Sequence, residues 1–111
     1  MFRIIDDVMK SGKLFLDPEL CLNRIAAESG MNRTYVSQTL GKYAKGYYSY
    51  VNEYRLRYAF EILTDVSRMP VTLTELASCS GFSDERAMNK YCLKAYGITA
   101  SHYFSRRKVS H

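Results

Sequence analysis

The sequence predicts an all-α domain of about seven helices, arranged as two similar subdomains joined by a long connecting helix. Three observations carry this expectation. Apolar residues recur at spacings of three and four, and no stretch alternates with a period of two. Only Pro18 and Pro70 stand in the way of helix over 111 residues. The segment Ile25-Ala26-Ala27-Glu28-Ser29-Gly30-Met31-Asn32 returns 51 residues later as Leu76-Ala77-Ser78-Cys79-Ser80-Gly81-Phe82-Ser83.

The elements follow in order. Phe2, Ile5 and Met9 share one face of a first helix, which Ser11-Gly12 ends. Leu20, Leu22, Ile25 and Ala26 suit a second helix that stops at Gly30. Asn32 caps a third, whose inward face holds Val36, Leu40 and Tyr43. A long helix runs from about Tyr47 to Leu63, with Val51, Leu56, Ala59, Ile62 and Leu63 inward. After a turn at Arg68-Met69-Pro70, Thr72 opens a fifth helix. Glu75 lies three residues on, the spacing of a capping box, and Gly81 ends the helix. Ser83 is the expected cap of a sixth helix stopping at Gly97, and Thr99 or Ser101 opens a seventh toward Phe104. The expected divisions are 1–46, the connecting helix 47–64, and 65–111.

The repeat has a physical meaning. Two helices that cross closely need a small side chain at the crossing, here Ala26 and Ala77. The turn between them needs a residue at ease with positive φ, supplied by Gly30 and Gly81. The next helix must start sharply and then bury an anchor, Val36 in the first copy and Met88 in the second. The second copy has one extra residue before its anchor, so the offset there becomes 52. Crossing, turn, cap and anchor, present twice, describe two helix-turn-helix units of homeodomain-like build.

Composition narrows the function. Hydrophobic residues make up 47% and charged residues 24%, enough apolar material for a core. No apolar run reaches the ~20 residues of a membrane span. The start, Met1 to Asp7, carries acids where a signal peptide has a basic end, so the chain is expected to be soluble and cytoplasmic. Cys21, Cys79 and Cys92 lack metal-ligand spacing and are expected to be small hydrophobes. No metal or cofactor is expected. No paired carboxylates, neighbouring Cys–His pair or glycine-rich phosphate loop appears, so the chain is not read as an enzyme. The net charge of +5 is uneven: residues 1–31 hold four basic and five acidic side chains, residues 32–111 twelve and six. A basic surplus attracts phosphate polymers.

At this point the sequence resembles the AraC-type transcription regulators, and within them the sensor-linked branch found in Bacteroidetes. The resemblance rests on Leu16-Asp17-Pro18-Glu19-Leu20, Asn32-Arg33-Thr34-Tyr35-Val36-Ser37 and Tyr50-Val51-Asn52-Glu53-Tyr54-Arg55-Leu56. Leu76-Ala77, Gly81-Phe82-Ser83 and Tyr96-Gly97-Ile98-Thr99 extend it, so it covers about Phe2 to Tyr103. The departures gather in the second unit. Related sequences usually carry serine near Arg86, phenylalanine at Met88 and Cys92, arginine at Lys90 and Thr-Pro at Thr99-Ala100. In the first unit Ala44 stands where they tend to have glycine.

The resemblance implies sequence-specific binding of double-stranded DNA, as the output domain of a bacterial transcription regulator. The second helix of each unit would enter a major groove. A connecting helix of 17 residues spans roughly 25 Å at about 1.5 Å per residue, and with the flanking turns it suits readers about one DNA turn (~34 Å) apart. With Val36 and Met88 inward, the base-contact candidates are Arg33, Thr34, Ser37 and Gln38, then Arg86, Asn89 and Lys90. Thr34 corresponds to Arg86, Ser37 to Asn89, and Gln38 to Lys90. Tyr35, Lys42, Thr72, Ser83 and Lys94 are phosphate candidates. Asp84 and Glu85 cut against phosphate contact at the start of the sixth helix, and the sequence leaves open whether they face a cytosine amino group or point away. Arg55 is read as a structural bridge. Further partners implied are RNA polymerase and a sensing or dimerising region ahead of this domain, with no membrane contact by the domain itself.

Two other readings use the same residues. Ten tyrosines suit base stacking on single strands, but Tyr43, Tyr47, Tyr50, Tyr54 and Tyr58 fall in or beside the connecting helix, where packing is the expected role. A helix-turn-helix can also lose DNA binding and persist as a protein-interaction module.

Overall fold

The computed structural model describes residues 2–64 and 72–109, with side chains over 2–63 and 72–104. Every regular element in them is helical: α1 (Phe2–Gly12), α2 (Leu22–Ser29), α3 (Arg33–Ala44), α4 (Tyr47–Thr64), α5 (Leu73–Cys79), α6 (Glu85–Tyr96) and α7 (Ala100–Val109). The all-α expectation is met. The expected turn at Arg68-Met69-Pro70 lies outside the described residues. Two compact units form, Met1–Tyr54 and Arg55–His111, and the division falls inside α4.

In the first unit Ile5, Met9, Ile25, Val36, Leu40 and Val51 make the core, each no more than 1% exposed. Helix α1 is fastened to α4 through one carboxylate. Asp6 accepts hydrogen bonds from the hydroxyls of Tyr50, at 2.7 Å, and Tyr54, and it pairs with Lys10 at 3.3 Å. Burial disfavours the charge on Asp6, but the bonds from Tyr54, Tyr50 and Lys10 outweigh it and hold the carboxyl below its ordinary range. Phe15 stacks on Tyr54 and Phe2 meets Tyr50 edge-on, with ring centres 5.4 and 5.6 Å apart. Tyr47 donates its hydroxyl to the carbonyl of Leu20. The packing role expected of these tyrosines therefore holds for Tyr47, Tyr50 and Tyr54, and in the second unit for Tyr58, which packs against the core there.

Three details of this unit differ from the sequence reading. Leu20 is buried but precedes α2, which starts at Leu22 behind the extended Cys21. Leu14–Leu16 form a short 3-10 turn that buries Leu14 and Phe15, an element the periodicity does not show. Tyr43 is 61% exposed, because α3 closes at Ala44, one residue later, and the core ends with Leu40.

In the second unit one cluster joins the C-terminal half of α4 (Leu56, Ala59, Leu63) to Leu76 and Ala77 of α5, Met88 and Cys92 of α6, and Phe104 of α7. Met88 and Cys92 are fully buried in it. Phe60 packs on Tyr103 at 4.8 Å between ring centres. Cys21 and Cys79 are exposed, which corrects the expectation that all three cysteines fill apolar space; only Cys92 does.

Candidate nucleic-acid interface

The two copies agree bond by bond as far as the turn. Ser29 and Ser80 each send their hydroxyl to the carbonyl four residues back, both at 2.7 Å. Gly30 and Gly81 adopt φ of 72° and 90°, where a side chain is strained. A β-carbon on Gly30 would meet nothing within 4 Å, so backbone conformation, not space, calls for glycine there. The N–H of Met31 then donates to Ala26, and that of Phe82 to Ala77, both at 3.0 Å. These bonds close each turn and bring the second helix against the small crossing residue, Ala26 or Ala77, both buried.

After the turn the copies part by one residue. Asn32 caps α3 by accepting the N–H of Tyr35 at 2.7 Å. The counterpart bond in the second unit comes from Asp84, which accepts the N–H of Ala87 at 2.8 Å. Asp84, not Ser83, is the cap of α6, so Ser83 is the inserted residue and the offset becomes 52 at the cap itself. A carboxylate beside the positive helix end is a stronger acceptor than a hydroxyl. Glu85 lies within 3.4 Å of the hydroxyl of Thr74 on α5. Both acids that opposed phosphate contact are thus engaged with their own unit.

With that register the outward faces match. Val36 and Met88 are fully buried anchors. On the opposite side Thr34, Gln38 and Lys42 form an exposed stripe along α3, spaced by four residues. Arg86, Lys90 and Lys94 form the same stripe along α6, also exposed. Arg33, Ser37 and Tyr35 are exposed beside the first stripe. Asn89 is half-buried beside the second, its oxygen accepting the N–H of Ser101 at 2.8 Å. Thr72 and Ser83 are exposed as well, with Thr72 and Glu75 closing the expected capping box. Every side chain singled out for DNA contact therefore reaches the surface or its edge, and within each unit the base-contact candidates lie on one helix.

The two stripes differ in charge. Helix α3 contains Arg33 and Lys42 and no acid, whereas all three members of the α6 stripe are cations. The sequence reading missed the hold of Asn89 on α7, which requires knowing that α7 folds back onto α6. Arg55 is half-buried.

A family model described as helix-turn-helix domain matches residues 25–106, most of the chain. The chain belongs to the AraC-type helix-turn-helix family. The AraC-type domain is therefore a DNA-binding regulatory domain, in a family that is not one of enzymes. No curated protein and no solved structure matches it. No helix among the described residues is long and apolar enough to cross a membrane.

Proposed function

We propose that this AraC-type domain binds double-stranded DNA in a sequence-specific manner, with α3 and α6 in adjacent major-groove segments. It would act as the output domain of a bacterial regulator in the cytoplasm. The observation that supports this best is the paired stripe, Thr34-Gln38-Lys42 and Arg86-Lys90-Lys94, each exposed opposite a buried anchor. Stripes of this kind suit a groove: hydrogen-bonding side chains lie toward the helix start and a cation lies toward the end, where a backbone phosphate passes. Tyr35, Thr72 and Ser83 would add phosphate contacts through hydroxyls near helix starts. A separate sensing or dimerising region would supply the signal, and RNA polymerase would receive it.

Selection from a random duplex library, then a salt titration on the winning site, tests this reading. A DNA reader enriches a defined site and loses affinity steeply as salt rises. Undetectable duplex binding at low salt would instead favour the protein-interaction module.

A further inference from the structure

We infer that the exposed face of α6 reads guanine, because the side chains it presents for base contact are hydrogen-bond donors only. This rests on the proposed placement of α6 in a major groove and adds which base it meets there. The determining residue is Asn89. Its side-chain oxygen accepts the backbone N–H of Ser101, 2.8 Å away on α7. A backbone N–H only donates, so the atom facing it must be the oxygen, and the orientation of the amide is fixed by chemistry. An asparagine that pairs with adenine must show oxygen and nitrogen side by side to one base edge. With its oxygen engaged by α7, Asn89 has its amide N–H groups left to give, and these are donors.

Its neighbours on the same face, Arg86 and Lys90, are exposed cations that carry donors and no acceptor. Of the two carboxylates at the start of the helix, Asp84 accepts the N–H of Ala87 and Glu85 lies 3.4 Å from the hydroxyl of Thr74, so each has a donor within its own unit. Among the four bases, guanine shows two adjacent acceptors in the major groove, N7 and O6. Adenine and cytosine each show an amino group that needs an acceptor from the protein, and thymine shows a single acceptor, O4, beside a methyl group, which leaves no second acceptor for a fork of donors. The α6 face therefore complements guanine. The corresponding positions of α3 differ: Ser37 and Gln38 are exposed, and each both donates and accepts. Two units with one backbone plan are thereby given different base chemistries.

The test starts from the site selected by the full chain. Arg86→Ala and Lys90→Ala, both at exposed positions, are each put through the same selection to map the segment under α6. The expected result is guanine at the positions whose preference they relax. Replacing those guanines by 7-deazaguanine, which lacks the N7 acceptor, should weaken binding about tenfold. Lys90→Gln, which brings in an acceptor as Gln38 does, should shift one selected guanine to adenine. Mapped positions that carry no guanine, or indifference to 7-deazaguanine, would overturn the inference while leaving duplex binding in place. So would a selected site that neither alanine variant changes. If no duplex is retained at low salt, the proposed function fails and this inference fails with it.

Discussion

Asp84 accepts the backbone N–H of Ala87 at 2.8 Å, the bond that starts α6. Ser83, one residue earlier, is exposed and sits outside the helix. Removing a helix cap costs about 1 kcal/mol, whereas a surface change away from such features stays within about 0.5 kcal/mol. Asp84→Ala should therefore lower the unfolding free energy by about 1 kcal/mol, and Ser83→Ala should leave it nearly unchanged. Urea titration followed by circular dichroism measures both. Equal losses in the two variants would show that the cap is shared.

The same pair shows what the sequence could reveal. Crossing, turn and anchor were legible because each follows from a local need, a small side chain, a positive φ or a buried residue one turn into the helix. The insertion in the second copy was legible too, since Val36 and Met88 stand 52 apart. Its place was not, because Ser83 and Asp84 are both good caps and the bond from the Ala87 N–H to Asp84 decides between them. The 3-10 turn at Leu14–Leu16 was hidden for a different reason: three consecutive apolar residues have no period, although Leu14 and Phe15 are core. Tyr43 continues the spacing of Val36 and Leu40, yet periodicity cannot tell that the core stops a turn before the helix does. The stripes on α3 and α6 could be listed residue by residue in advance. The hydrogen bond from Ser101 to Asn89, which restricts what α6 can read, depends on a contact between separate helices and has no signature in spacing.

The Asp6 carboxylate gives the first unit an acid-sensitive fastening. Burial works against its charge, and the Tyr54, Tyr50 and Lys10 bonds overcome that, so its folded-state value lies below the ordinary 3.8. A depressed carboxyl contributes stability that is fully present above the unfolded value and is lost as pH falls through the folded one. Thermal melts from about pH 5 down to about pH 2 should show this loss in the native chain. Asp6→Asn should be less stable at the upper end and show a shallower decline. Parallel curves would mean that Asp6 does not carry the acid dependence.

The three thiols should separate by reactivity. Cys21 and Cys79 are exposed, while Cys92 is buried among the residues joining α4 to α6. Burial also pushes the Cys92 thiol up from its ordinary range, which keeps it protonated and unreactive. A thiol-specific reagent in slight excess should label two cysteines rapidly in the folded chain and the third only in denaturant. Peptide mapping identifies which. Labelling of Cys92 at the rate of the others would mean that the second unit opens readily.

Position along each stripe predicts a division between choice and grip. Lys94 ends the α6 stripe and is exposed, the position of a phosphate contact in the proposed complex. Gln38 sits in the middle of the α3 stripe, where an amide meets a base edge. On the selected duplex, Lys94→Ala should lower the slope of log affinity against log salt by about 0.9 and leave base preference intact, since one phosphate contact releases about one counterion. Gln38→Ala should keep that slope and relax choice at a position outside the segment that Lys90→Ala affects. Filter-binding or fluorescence titrations at several salt concentrations, with parallel selections, distinguish the two effects. If the Lys94 and Lys90 variants both match the parent while Gln38→Ala is impaired, the first unit alone meets DNA and the second serves as its brace.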